Sequence, residues 1–247
     1  MNVISNYLDE VCRDWEASRD AFPRNIYLKH YWPIPFFGNP ATARVATVGV
    51  NPSSGEFTED RRWDEVRTKR DWKLRLRNYF IQNPPPHKWF TEWRQGLTLL
   101  DCSYEAGTAA HFDVSYRPTK AMVKNPSTDR AEFREMIERD VQWLFRLLPL
   151  CPNLRGLLVF GPVVRDDGST ESLVDFVRKS APEHGFIVCP SGNLRWRTPE
   201  GGERLFFVHE VPNCGGGTIG DRVIADLSQH RAHLRGWIWN ATSGIVC

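Results

Sequence analysis

Asn51 and Asp113 each stand at the end of a short apolar run, Val45-Ala-Thr-Val-Gly-Val50 and Ala110 to Val114. A neutral amide can orient a water or a polar group, and an ionised carboxylate can only accept hydrogen bonds. Polar, glycine and proline residues collect just past such runs: Asn51-Pro-Ser-Ser-Gly-Glu-Phe57, Asp113 to Thr119, Gly161-Pro162 and Val211-Pro-Asn-Cys-Gly-Gly-Gly217. Glycines there let backbone approach a phosphate while Asn51 and Asp113 address a small polar group. Ordinary strand-to-helix turns favour the same residues, so both readings stay open.

Between Arg61 and Arg77 lie eight basic and three acidic residues, a local charge of +5 in a chain whose net charge is +2. Arg62, Lys69 and Arg70 belong to this run, which is interleaved with Trp63 and Trp72. The mixture suits a surface that meets phosphates and bases, and it suits a solvated helix face equally well. Six scattered cysteines with no C-x-x-C pair argue against a zinc ribbon, an iron–sulfur cluster or a disulfide framework. Gly215, Gly217 and Gly220 match G-x-G-x-x-G, but too close to the C-terminus for a dinucleotide-binding unit. P-loop, G-x-S-x-G and H-E-x-x-H motifs are absent, which removes support for an NTPase, a serine hydrolase or a zinc protease.

The elements that must position these residues alternate along the chain. Ile4, Tyr7, Leu8, Val11 and Trp15 share one face of a first helix, and a stripe from Phe133 to Leu148 predicts a core helix over about 129–148. Strands are predicted at 45–50, 110–114, 157–161, 186–189 and 205–209, with helices over 173–177 and 222–239. The stretch NPPPHKWF reads as a loop, since consecutive prolines cannot continue a helix. The alternation implies an α/β fold with a mostly parallel sheet covered on both faces, and ligands then bind beyond the carboxyl ends of its strands. With 247 residues and 41% apolar content, a single domain is expected. No apolar run is long enough to span a membrane and no leader pattern is visible, so a cytoplasmic protein is expected; a monomer is expected as well.

Val48-Gly-Val-Asn-Pro-Ser-Ser-Gly55 resembles the first motif of the uracil-DNA glycosylase superfamily, especially its thymine/mismatch-specific branch. Asp113-Val-Ser-Tyr-Arg-Pro-Thr119 resembles the segment of that branch ending in R-P-T, and Leu157 to Gly161 resembles its third strand. Val211-Pro-Asn-Cys-Gly-Gly216 is similar in position and partly in sequence to its last motif, and His87-Lys-Trp-Phe90 looks like a feature of bacterial members. The likeness runs over about residues 44–236.

It implies a central four-stranded parallel sheet flanked by helices, DNA as partner, no metal and no organic cofactor. It also implies cleavage of the N-glycosidic bond of a flipped base. Asn51 would orient the attacking water, with Val50 beside it in the base pocket, and Phe57 or Trp63 would stack on the base unless either is core. Ser53 and Ser54, and Asn213, Gly215 and Gly216 in the last motif, would hold DNA through phosphates. Cys214-Gly215 departs from the family's Pro-Ser and leaves no bulky wedge. Arg117 would contact phosphate or brace Asp113. His111 and His209 are site residues or packing, with packing favoured for both.

By the same likeness, Asp113 falls where related enzymes read the pyrimidine edge with asparagine. A carboxylate meets the N4 amino donor of cytosine well and O4 of uracil with repulsion. A cytosine-derived and modified base is therefore expected, as in prokaryotic anti-phage glycosylases acting on glucosylated hydroxymethylcytosine. A protonated carboxyl would mimic an amide and admit uracil or mismatched thymine. A catalytically inactive DNA-binding relative is the remaining alternative.

Overall fold

The computed structural model describes residues 3–21, 28, 30–52, 63–82, 87–119, 129–165, 167, 169–212 and 218–240. In chain order the elements begin with α1 (Val3–Ser18), β1 (Phe36–Phe37), β2 (Val45–Gly49), α2 (Lys69–Asn78), α3 (Lys88–Leu99) and β3 (Ala109–Asp113). They continue with α4 (Asp129–Leu147), β4 (Gly156–Phe160), β5 (Pro162–Val164), β6 (Thr170–Ser172) and α5 (Leu173–Ser180). The last are β7 (Phe186–Val188), β8 (Leu194–Arg197), β9 (Glu203–Val211) and α6 (Ile219–Trp239).

The apolar runs form the centre of the sheet because a strand covered on both faces has no polar side to alternate. β3 and β4 are buried at every position and β2 at all but its last. The sheet order is β1-β3-β2-β4-β9-β8-β7, with the neighbours from β3 to β9 parallel. Three antiparallel strands widen it at the edges. It is thus a seven-stranded mixed sheet rather than the four-stranded parallel sheet expected. Of the three edge strands, β7 falls within the strand expected over 186–189, whereas β1 and β8 are short and lie in proline-rich or mixed-polarity sequence, where neither period stands out. After β2 the chain adds β3 on one side and β4 on the other, so the strand order reverses at β2 and opens a crevice at the carboxyl ends.

The helices bury the faces their spacing predicts. Ile4, Tyr7, Leu8, Val11 and Trp15 of α1 are buried, and the Tyr7 hydroxyl donates to the Trp143 carbonyl at 3.0 Å, joining α1 to α4. One core runs from Ile4 to Ile238. α2 and α6 each start with a capping box, Thr68 with Asp71 and Thr218 with Asp221.

α3 corrects the expected loop at NPPPHKWF. The prolines end at Pro86, and His87 then caps a helix by accepting from the Trp89 N–H at 3.3 Å. Gly96 is required within this helix: a Cβ there would lie 2.4 Å from Val223 Cγ1, so glycine alone lets α3 and α6 approach this closely. Cys12, Cys102 and Cys151 are free and buried, as expected of small apolar residues, whereas Cys189 is disulfide-bonded.

Candidate base-binding site

The crevice holds a cavity of about 350 Å³, within the range of small-molecule sites. Gly49, Val50, Asn51 and Pro52 line it from the end of β2, His111 and Asp113 from β3, and Phe160, Gly161 and Pro162 from the end of β4. His87, Trp89 and Phe90 close one wall from α3, with Phe37 and Ile219 completing the lining. The two polar residues singled out in the sequence therefore meet in one largely apolar, aromatic-walled pocket.

Asn51 is held in one orientation. Its Nδ2 donates to Thr119 Oγ1 at 2.7 Å and to the Pro52 carbonyl at 2.9 Å. A carbonyl only accepts, so the atom facing it must be the amide nitrogen. Among the described residues Oδ1 has no hydrogen-bond partner, which leaves it available to accept from a water.

Thr119 is placed by the segment after β3, whose backbone continues to pair with the Asn51 loop. Val114 N–H donates to Gly49 O, Ser115 N–H to Val50 O and Thr119 N–H to Pro52 O, at 3.0, 2.8 and 3.2 Å.

Asp113 is buried, with its side chain 1% exposed. Asp113 lines the cavity; its Oδ1 lies 3.3 Å from His111 Nε2, and its buried Oδ2 has no hydrogen-bond partner among the described residues. Burial raises its pKa above the ordinary 3.8, and His111 works in the opposite direction. A buried acceptor without a partner is costly, by about 1–3 kcal/mol, and a donor entering the pocket would relieve this.

His111 belongs to the site. Its Nδ1 lies 3.0 Å from Thr47 Oγ1, which is 2.6 Å from the Tyr104 hydroxyl. Phe37, Trp89 and Phe90 pack around the ring at centroid distances of 5.9, 4.7 and 5.1 Å. A Cβ at Gly49 would stand 3.1 Å from His111 Cε1 and 3.3 Å from Asp113 Oδ1, so the glycine before Val50 leaves room for both.

Several expected site residues lie elsewhere. Trp63 is 3% exposed and packs against Phe37 at 6.2 Å, outside the lining, so it is core and not the stacking residue. Trp72 is also core, donating to the Pro33 carbonyl at 2.7 Å. Arg117 is wholly buried and cannot meet a phosphate. Its Nε donates to Asp140 at 2.9 Å, and its other contacts include Ser18 and the Tyr116 hydroxyl. It braces the segment carrying Thr119 against α4 and α1.

Lys69 approaches Asp9 of α1 at 3.8 Å and Lys73 pairs with the same carboxylate at 2.7 Å, while Arg70 is exposed. The basic run is thus partly spent in docking α2 onto α1. Ser53, Ser54, Phe57, Arg62, Asn213, Gly215 and Gly216 lie outside the described residues.

The aromatic walls were the part sequence reading missed. In the sequence Phe160 reads only as strand, and Trp89 and Phe90 follow the helix-breaking Pro84–Pro86, so that only the resemblance at His87–Phe90 points to them. Among the described residues no helix is long and apolar enough to cross a membrane. No protein-family model matches the chain, and comparison with curated proteins returned no match.

Proposed function

We propose that this protein is a monofunctional DNA glycosylase with a uracil-DNA glycosylase-like fold, acting on a flipped, cytosine-derived base. The observation that carries this reading is the convergence of Asn51 and Asp113 on one apolar pocket at the strand-order reversal. Water held by Asn51 Oδ1 attacks C1′ of the sugar. The C1′–N bond breaks, its electron pair leaves with the base, the water oxygen bonds to C1′, and its proton passes to solvent or the departing base.

An amide is too weak a base to drive this by proton abstraction, so it acts by positioning water and stabilising charge at the sugar. The aromatic walls exclude bulk water, which strengthens each polar contact with the base. Asp113 Oδ2 accepts from the N4 amino group of the base. Because excising ordinary cytosine would destroy the host genome, the target is a modified cytosine, which fits a role in defence against foreign DNA.

One observation favours a second reading. Burial raises the Asp113 pKa, and a protonated carboxyl would donate to O4 of uracil or mismatched thymine. A panel of oligonucleotides carrying uracil, a thymine mismatch, and plain, hydroxymethylated and glucosylated cytosines separates the two after alkaline cleavage of abasic sites. Cleavage confined to cytosine derivatives is expected. Cleavage at uracil alone would replace this substrate with ordinary repair, and no cleavage anywhere would leave a DNA-binding relative without activity.

A further inference from the structure

His209, Asp226 and His230 come together on the face where β9 meets α6, and their ligand atoms all lie within 4.8 Å of one another. Asp226 and His230 are four residues apart on α6, the spacing that puts two ligands on one helix face. His209 supplies the third from β9. We propose that this triad binds a divalent transition ion of zinc-like preference, with water completing its shell.

The donor set is two imidazole nitrogens and one carboxylate oxygen, which suits zinc and cobalt and is poor for calcium or magnesium. His209 Nε2 lies 2.6 Å from Asp226 Oδ2, and His230 Nδ1 lies 3.4 Å from Asp226 Oδ1 and 3.0 Å from the Asp226 backbone carbonyl, so an ion must displace the Nδ1 proton and the hydrogen bond it makes. Around a tetrahedral ion with bonds of about 2.0–2.1 Å, neighbouring donors stand roughly 3.3 Å apart. The two separations are to different carboxylate oxygens, so an ion held by Oδ2 needs the His209 separation to open by roughly 0.7 Å and the His230 ring to turn toward the same oxygen, both through χ rotations.

The side chains are 17%, 10% and 41% exposed for His209, Asp226 and His230, so an ion can enter while most of the shell stays protein. The triad is separate from the pocket residues Asn51 and Asp113. Its consequence is mechanical, because β9 and α6 are the elements on either side of residues 212–218. Ile219, the first residue of α6, lines the pocket. An ion shared by the two elements would fix their spacing and stabilise the folded chain by mass action.

The test uses the full chain, stripped with a chelator and titrated with Co²⁺ while visible absorption is followed, together with thermal denaturation at each concentration. Expected are d–d bands that saturate at one equivalent and a melting midpoint that rises with Co²⁺. Both should be lost in Asp226→Asn and in His230→Ala. The half-exposed position of His230 makes its variant the safer one to fold, and circular dichroism checks each. Absence of the bands in the wild-type protein, or identical titrations of wild type and a folded His230→Ala, would overturn the proposal and leave a hydrogen-bonded triad only.

Discussion

In the proposed reaction Asn51 acts through its orientation, and that orientation is set from outside the residue. Thr119 Oγ1 accepts from its amide nitrogen, so Thr119→Val should release the side chain to rotate. Single-turnover base release should then fall on the order of 10–100-fold with DNA affinity nearly unchanged, since misplacing a reacting group acts on the barrier more than on the complex. An equal loss of affinity and rate would mean that Thr119 serves binding instead.

Asp113 makes a pH-dependent prediction. Its folded-state pKa lies above 3.8 because burial penalises the charged form, so the accepting carboxylate is lost as pH falls through that raised value. Base release from a cytosine derivative should therefore show an acidic limb displaced upward from the ordinary aspartate value, and Asp113→Asn should remove the limb and shift preference toward uracil. A wild-type rate that rises on acidification would assign the protonated form as the active one.

At the scale of elements, α2 divides its basic residues by face. Lys73, with Lys69 nearby, meets Asp9 of α1, while Arg70 remains exposed. Arg70→Glu should reduce the slope of log affinity against log salt by about 0.9 for duplex DNA if Arg70 meets a phosphate, measured by fluorescence anisotropy. Arg117→Ala should behave in the opposite way. It leaves Asp140 buried without its cation, so denaturant unfolding should show a loss of about 3–5 kcal/mol while the salt slope stays unchanged.

These assignments also show what the sequence could convey. The apolar runs of β2, β3 and β4 were readable because burial on both faces leaves no other pattern, and the stripes of α1 and α4 because period 3.6 is unambiguous over several turns. The face of α2 was not readable. A run of arginine, lysine and tryptophan says nothing of which side meets a neighbour, and both Trp63 and Trp72 proved to be core. Short edge strands such as Phe36–Phe37 draw their definition from a partner that only the fold supplies.

Over the whole molecule, the net charge of +2 gives no broad field to draw in DNA, so the proposed recognition would rest on local features around one pocket. The pocket's place was predictable from the alternation of strands and helices, since an open α/β sheet offers its crevice where the strand order reverses. Its walls were not, because Phe37, Trp89 and Phe160 come from three distant segments that no local pattern links. The same holds for His111, whose role emerges only when Thr47, Tyr104 and Asp113 are brought around it. In the proposed reaction Asn51 in this pocket supports hydrolysis of a glycosidic bond. Single-turnover release of free base, followed by mass spectrometry on the best substrate of the oligonucleotide panel, tests it in wild type and Asn51→Ala. The expected result is a fall of about 10²–10³-fold in rate for a variant that folds and binds DNA normally. Equal rates for the two proteins would contradict the claim.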